Sequence, residues 1–203
     1  MYLLLMFCML VFNMQNNLKP DFYLPIQTQN RQDWNSVKLT SIGQFGIVRK
    51  ERPSVPAHLH TGIDFARPSE NYRNEPVFPV FAGTVISVRN DGPFAQIIIR
   101  HQKGKIHFWT VYEHVSEIWV SVGDLVNPMK PIARFMTKQE LDRFGWQFDH
   151  IHFEILRTEP FKIPINSKLP QRKYSAPTLT CFTETDLEKN YYNPEQFMSK
   201  RNN

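Results

Sequence analysis

Residues 94–114, FAQIIIRHQKGKIHFWTVYEH, predict two β-strands joined by a short turn. The strands, Phe94–Arg100 and Ile106–His114, are rich in β-branched and aromatic residues, which are enriched in strands. Gln102–Lys105 lies between them and contains a glycine, as short hairpin loops commonly do. The stretch therefore predicts an antiparallel β-hairpin.

Short apolar runs separated by turn residues continue on both sides of this hairpin. Further strands are predicted at Val77–Val88, which Pro79 and Gly83 interrupt, at Ile118–Val126 and at Phe148–Leu156. The helical predictions are Thr137–Arg143 and a short helix within Asp186–Lys200, with 157–190 as a long loop. Many short strands with one brief helix before the tail predict a mainly β fold: an antiparallel sheet with one short helical insert.

The composition narrows the class of protein. Hydrophobic residues make up 41% of the 203 residues and charged residues 21%, which is too apolar for a disordered chain. The 15 prolines and 13% aromatic residues argue against a helical bundle. Two cysteines, Cys8 and Cys181, are too few for a disulfide scaffold or a cysteine-rich zinc finger. Any metal must then be bound by histidines and carboxylates.

The N-terminus suggests export. Leu3–Phe12 is an unbroken apolar run, shorter than the roughly 20 residues that span a bilayer and similar to the core of a secretory signal. No basic residue precedes it and no small-x-small cleavage site follows, so a buried N-terminal strand or helix is the alternative. We expect a signal-like segment at 1–17, a linker or N-terminal segment at 18–39 and one β domain at 40–203. The expected location is the periplasm or cell envelope.

One histidine pair lies on a predicted strand. His150 and His152 alternate with apolar residues, so their side chains point to the same face, about 6–7 Å apart. Glu154 continues that face. The strand borders either a polar site or plain solvent. Asp149 and Glu154 are candidates for orienting ligand imidazoles, or are solvated carboxylates.

A second cluster is His60-Thr61-Gly62-Ile63-Asp64. On a flat strand His60 and Asp64 would lie about 13 Å apart, whereas zinc ligands lie within about 2.0–2.2 Å of the metal. The chain must bend, and Gly62 permits a bend. One histidine and one carboxylate here, with one histidine from the remote strand, make the three-ligand set of a catalytic zinc site. The helical H-E-x-x-H motif is absent.

The order of these motifs resembles the lysostaphin/LytM-type zinc endopeptidases of bacterial cell walls, which have the duplicated hybrid motif fold. The family's pattern is H-x-x-x-D, then Y-x-H, then H-x-H-F-E. The matching segments are Gln44–Arg49, His60–Ala66, Ala82–Val85, His101–Gly104, Tyr112–Ser116, Val122–Val126 and His150–Ile155. The family's glycine-rich run before H-x-H is replaced here by the helical stretch Phe135–Asp149.

The resemblance implies one zinc ion per chain, held by His60, Asp64 and His152. It also implies two catalytic histidines, His114 and His150, whose separate roles stay open. The implied function is hydrolysis of peptide bonds in peptidoglycan cross-links or bridges. The alternative is a catalytically inactive cell-wall-binding or hydrolase-activating module on the same fold, but all five residues of the implied site are present.

Charge and length set the expected partners. The net charge of +5 and the pI of about 9.2 suit an anionic cell wall. The basic residues are scattered, so we expect no nucleic acid partner, and we expect no stable membrane span and a monomer. Val122–Lys130 resembles the hammerhead turn of a lipoyl or biotinyl carrier domain, but a carrier has no use for paired histidines.

Overall fold

The computed structural model describes residues 22–199, and antiparallel strands dominate them. The strands are β1 Val48–Arg49, β2 His58–Leu59, β3 Ile63–Ala66, β4 Pro76–Val77, β5 Gly83–Arg89, β6 Gln96–Lys103, β7 Ile106–Glu113, β8 Val115–Ser116, β9 Leu125–Val126, β10 Ala133–Phe135, β11 His150–Leu156, β12 Phe161–Lys162, β13 Tyr174–Ser175 and β14 Tyr191–Tyr192. The helices are α1 Lys138–Phe144, α2 Glu184–Asn190 and α3 Pro194–Ser199, with 3₁₀ turns at Trp34–Ser36, Gly92–Phe94 and Trp146–Phe148.

A seven-stranded sheet forms the centre of the fold. Its strand order is β14-β11-β7-β6-β5-β9, and β3 pairs with β11 beside this path. A smaller sheet has the order β4-β10-β8, and every strand pair in both sheets is antiparallel. The predicted fold class, a mainly β protein with an antiparallel sheet and a short helical insert, is confirmed.

The predicted hairpin is the longest strand pair, β6 and β7. Its register runs from Gln96 opposite Glu113 to Lys103 opposite Ile106, and Gly104 turns the chain with a φ of 59°. Ile97 and Ile99 pack in the larger core, whereas Ile98 packs in a smaller core on the other face. Because both faces are covered, the strand is apolar without alternation.

Three predictions of local structure need correction. Ile118–Val126 is not one strand: β8 and β9 flank a loop whose backbone makes single hydrogen bonds, such as Trp119 N–H to the Ile132 carbonyl. Phe94 lies in a 3₁₀ turn rather than in β6. Residues 157–190 contain β12, β13 and α2 rather than one long loop. The Thr183 hydroxyl caps the start of α2, and Leu187 of this helix is buried.

The helical insert forms where the sequence predicts it. The Thr137 hydroxyl accepts a hydrogen bond from the Glu140 N–H, and the Glu140 carboxylate accepts one from the Thr137 N–H. This reciprocal capping fixes the start of α1. Arg143 in its last turn is favourable for the helix dipole.

The N-terminal part of the described chain packs on the core. Phe22, Leu24 and Ile26 are buried in the larger core, and Ile26 bridges to Val77. The signal-like segment 1–17 and the start of the linker lie outside the described residues. Within residues 22–199, no helix is long and apolar enough to cross a membrane. The domain bounds stay a prediction.

Gly62 is needed for a close approach of two strands. A Cβ at this position would lie 2.2 Å from the Phe153 carbonyl oxygen of β11. Its φ lies outside the left-handed region, so closeness to β11, rather than a left-handed bend, requires glycine here.

We therefore expect Gly62→Ala to lower the free energy of unfolding by about 3 kcal/mol or more, because backbone must move. Gly104→Asn is the matched control: nothing lies within 4 Å of the added Cβ, and asparagine tolerates a left-handed φ. We expect this control to cost only about 1 kcal/mol. Urea denaturation measures both, and equal losses would contradict the explanation.

A second stability prediction concerns His101, which is buried in β6. Its Nδ1–H donates to the Ala82 carbonyl at 2.9 Å, and its Nε2 accepts from the Thr110 hydroxyl at 2.7 Å. Burial lowers its pKa from 6.5 to about 4, against the opposing effect of the Ala82 hydrogen bond. Between these values the unfolded chain binds a proton that the folded chain excludes.

Stability must then fall as the pH falls through this window, by about 3 kcal/mol from this residue. His101→Gln keeps an amide donor and acceptor but does not titrate. Between pH 7 and pH 4, the free energy of unfolding of His101→Gln should therefore decrease less than that of the wild-type chain. The same pH dependence in both proteins would show that another group is responsible.

Candidate metal and catalytic site

Strand pairing brings the predicted ligand residues together. In the β3–β11 pair, His152 lies directly opposite Asp64. Asp64 Oδ1 is 2.9 Å from His152 Nδ1 and 3.1 Å from His60 Nε2, and the two nitrogens are 3.0 Å apart. All three residues are buried, and their possible ligand atoms lie within 4.8 Å of one another. The side chains thus form one cluster, although their role as ligands stays a prediction.

The outer nitrogen of each imidazole has a partner of its own. His60 Nδ1–H donates to the Gln44 carbonyl at 2.8 Å, and His152 Nε2–H donates to Glu154 Oε1 at 3.1 Å. When both imidazoles are neutral and carry these outward protons, the inner nitrogens present lone pairs beside a carboxylate oxygen. Three acceptors that face one another are satisfied by a cation at their centre. The residues therefore fit a divalent metal such as zinc.

The acid–base properties of the cluster agree with this fit. Burial opposes the charged form of Asp64, but hydrogen bonds from His152 and His60 hold its pKa far below the usual range. Burial likewise disfavours the charged form of His152, yet hydrogen bonds to Asp64 and Glu154 raise its pKa to about 10. Burial lowers the pKa of His60. The surroundings thus favour positive charge between these side chains.

The two carboxylates considered for orienting the ligands differ in role. Glu154 is fully buried and also accepts a hydrogen bond from the Thr61 hydroxyl at 2.5 Å. Asp149 instead accepts from Arg67 Nε at 2.7 Å. Glu154 therefore orients His152, whereas Asp149 anchors the segment that leads into β11.

The two predicted catalytic histidines lie beside the ligand cluster. The ring centroids of His114 and His150 are 4.8 Å apart, and His150 Nε2 is 3.7 Å from Asp64 Oδ1. His114 directly follows β7 with a φ of 64°. This strained conformation is uncommon outside glycine and accompanies functional sites. Their catalytic roles stay a prediction.

Burial favours the neutral form of both histidines. Burial lowers the pKa of His150 to about 3, and burial also lowers the pKa of His114. His114 Nδ1–H donates to the Pro93 carbonyl at 2.6 Å, which leaves the lone pair on Nε2. A neutral imidazole held in one tautomer is suited to accept a proton at a defined atom.

Aromatic rings border His114. The ring centroid of Phe148 lies 5.0 Å and that of Phe94 5.9 Å from the ring centroid of His114, and Phe94 is 44% exposed.

Two surface hollows lie away from the predicted site, one of ≈ 610 Å³ beside His107 and one of ≈ 400 Å³ beside Trp119. None of the five predicted site residues lines either hollow.

Sequence reasoning missed three partners of the site. The backbone carbonyls of Gln44 and Pro93 fix two imidazoles, but a carbonyl has no residue-specific signal. Arg49 Nη2 donates to Asp64 Oδ2 at 2.5 Å. Arg49 is the basic residue that ends the matching segment Gln44–Arg49, so the sequence indicated this residue but not its contact with Asp64.

Comparison with known proteins agrees with the motif order. The model of Peptidase family M23 matches residues 58–165, more than half of the chain, which confirms the resemblance predicted from the sequence. None of the curated proteins matches the chain.

Several solved structures are similar to this chain. The NMR solution structure of lysostaphin is 18% identical, covering 81% of this chain and 51% of that one, with a TM-score of 0.48. A zinc containing peptidase from Vibrio cholerae is 25% identical, covering 75% of this chain and 38% of that one, with a TM-score of 0.46. A chain in the crystal structure of the SpoIIIAH and SpoIIQ complex is 22% identical, covering 67% of this chain and 92% of that one, with a TM-score of 0.45. This chain thus spans about half of lysostaphin and less of the Vibrio cholerae peptidase.

The contact between Glu154 and His152 can be tested by metal affinity. Glu154→Ala removes the acceptor of His152 Nε2–H, so we expect zinc affinity to fall about 10–100-fold. Glu154→Gln keeps a carbonyl acceptor of the same shape, and its loss should be smaller. Competition with a chromogenic chelator measures the affinity, and circular dichroism checks folding. A folded Glu154→Ala variant with wild-type affinity would contradict this role.

Proposed function

Because the chain belongs to peptidase family M23, we propose that it is a zinc-dependent endopeptidase that hydrolyses peptide bonds in peptidoglycan cross-links or bridges. One observation carries the proposal. Two buried imidazoles, each with its outer N–H turned away, converge with the carboxylate of Asp64, and two further histidines stand beside them.

His60, Asp64 and His152 would hold the metal, through Nε2, a carboxylate oxygen and Nδ1. Two nitrogens and one oxygen are a ligand set that zinc accepts in catalytic sites. Zinc bound there would lower the pKa of a water toward about 7 and polarise the scissile carbonyl. We propose one such ion per chain.

The tautomer of His114 supports its assignment as the general base. Because Nδ1–H is committed to the Pro93 carbonyl, Nε2 is the atom that takes the proton from the attacking water. The same nitrogen then returns the proton to the leaving amine. His150, neutral and close to Asp64, donates its N–H to the oxygen of the scissile carbonyl as negative charge develops there.

The family and the net charge support the proposed substrate and location. A chain with a net charge of +5 is attracted to an anionic wall polymer. We propose that the enzyme acts as a monomer on peptidoglycan peptides after export to the periplasm or cell envelope. The inactive binding module is the competing outcome of the test below.

The test combines zinc content with digestion of purified peptidoglycan. The wild-type chain should bind zinc and release peptides, a chelator should abolish release, and added zinc should restore it. His114→Ala and His150→Ala should retain zinc but lose about 10²–10⁴-fold in turnover, because proton transfer is removed. Asp64→Ala and His152→Ala should lose zinc and activity together.

His107→Ala is the matched control, since His107 is an exposed hairpin residue away from the cluster. Mass spectrometry of the released peptides identifies the bond that is cleaved. A wild-type chain that binds the wall but releases nothing, with or without zinc, would establish the inactive module instead.

A further inference from the structure

We propose that Arg49 is a positioning residue that makes Asp64 a one-oxygen ligand and so keeps a coordination position open for water. The inference rests on the metal site proposed above and adds a residue to it. It concerns how the carboxylate is presented to the metal, and it starts from the placement of Arg49 on β1.

The pairing of β1 with β2 sets Arg49 and His60 relative to each other. Arg49 lies opposite His58, and the His60 N–H donates to the Ile47 carbonyl at 2.9 Å. Because side chains alternate along a strand, Arg49 points away from the face of Val48, which is 70% exposed. One short ladder therefore delivers both a predicted ligand and the guanidinium to the same side.

The two oxygens of Asp64 have separate partners. Oδ1 faces the imidazole nitrogens at 2.9 and 3.1 Å, whereas Oδ2 accepts from Arg49 Nη2 at 2.5 Å. The contact is largely shielded from water, with side-chain exposures of 16% for Arg49 and 4% for Asp64. A charge-assisted hydrogen bond in such surroundings is strong and directional. It fixes the carboxylate plane with Oδ1 turned inward.

Other well-buried guanidinium groups are committed elsewhere. Arg67 pairs with Asp149 and donates to the Met136 carbonyl, and Arg134 pairs with Glu117 and Glu140. Among the ion pairs of residues 22–199, Arg49 supplies the guanidinium that contacts a predicted ligand. The contact is therefore specific to this carboxylate.

A carboxylate can bind a metal through one oxygen or through two. With Oδ2 free, both oxygens of Asp64 could bind, and the second would take the position that an attacking water needs. The guanidinium also balances the negative charge of Asp64, so a bound metal keeps more of its own charge to polarise a carbonyl. Both effects favour hydrolysis rather than tight metal binding.

Cobalt substitution gives a readout that activity alone does not. Four-coordinate Co²⁺ absorbs visible light more strongly than Co²⁺ of higher coordination number, so its spectrum reports the ligand count. In Arg49→Met we expect weaker cobalt absorption, because Asp64 binds through two oxygens, and retained cobalt. We also expect about a 10–100-fold loss of peptidoglycan hydrolysis by the zinc form. Arg49→Lys keeps the positive charge but lacks the planar guanidinium. Its cobalt absorption and hydrolysis rate should therefore lie between those of the wild-type chain and Arg49→Met.

Arg100→Met is the matched control, since Arg100 is an exposed arginine on β6. It should leave the spectrum and the activity unchanged. The inference is overturned if Arg49→Met has the wild-type cobalt spectrum. It is also overturned if this variant loses cobalt as completely as Asp64→Ala, since Arg49 would then only hold the site together. A wild-type chain that binds no cobalt or zinc would instead refute the proposed metal site itself.

Discussion

The antiparallel pairing of β3 with β11 is the contact on which the site depends. It places Asp64 opposite His152, 88 residues away along the chain. The register is strongly specified because Ile63 and Phe153 are buried in the larger core from the same two strands. A slip of one residue would turn these side chains to the opposite faces. The absence of a side chain at Gly62 lets the two backbones approach where the ligand cluster forms.

The site is a set of buried polar groups, and such groups are costly unless each is satisfied. Every inward atom of the cluster is backed by an outward contact: the Gln44 carbonyl behind His60, Glu154 behind His152 and Arg49 behind Asp64. Burial disfavours the charged form of His152, but its hydrogen bonds to Asp64 and Glu154 raise its pKa to about 10, so a proton joins His152 to Asp64 when no metal is bound. A metal ion would replace that proton, which would make metal binding depend on pH.

The helical insert Phe135–Asp149 lies beside the predicted site. Its helix α1 is capped and begins at Lys138. Asp149, at the end of the insert and just before β11, accepts a hydrogen bond from Arg67. The insert also places Phe148 against His114. The helical insert thus supplies part of the wall beside the two predicted catalytic histidines.

The β-hairpin and the helix at Thr137–Arg143 could be predicted from the sequence, because strand and helix propensity are local signals. The order of the motifs pointed to five candidate site residues, whose roles stay predictions. The sequence did not determine β12, β13 or α2 within 157–190, nor the loop between β8 and β9, since these depend on partners distant in the chain. Contacts between distant parts of the chain set which nitrogen of each imidazole faces inward and which oxygen of Asp64 faces these nitrogens. Those choices are made by backbone carbonyls and by one guanidinium, whose positions follow from strand register and leave no mark in a sequence pattern.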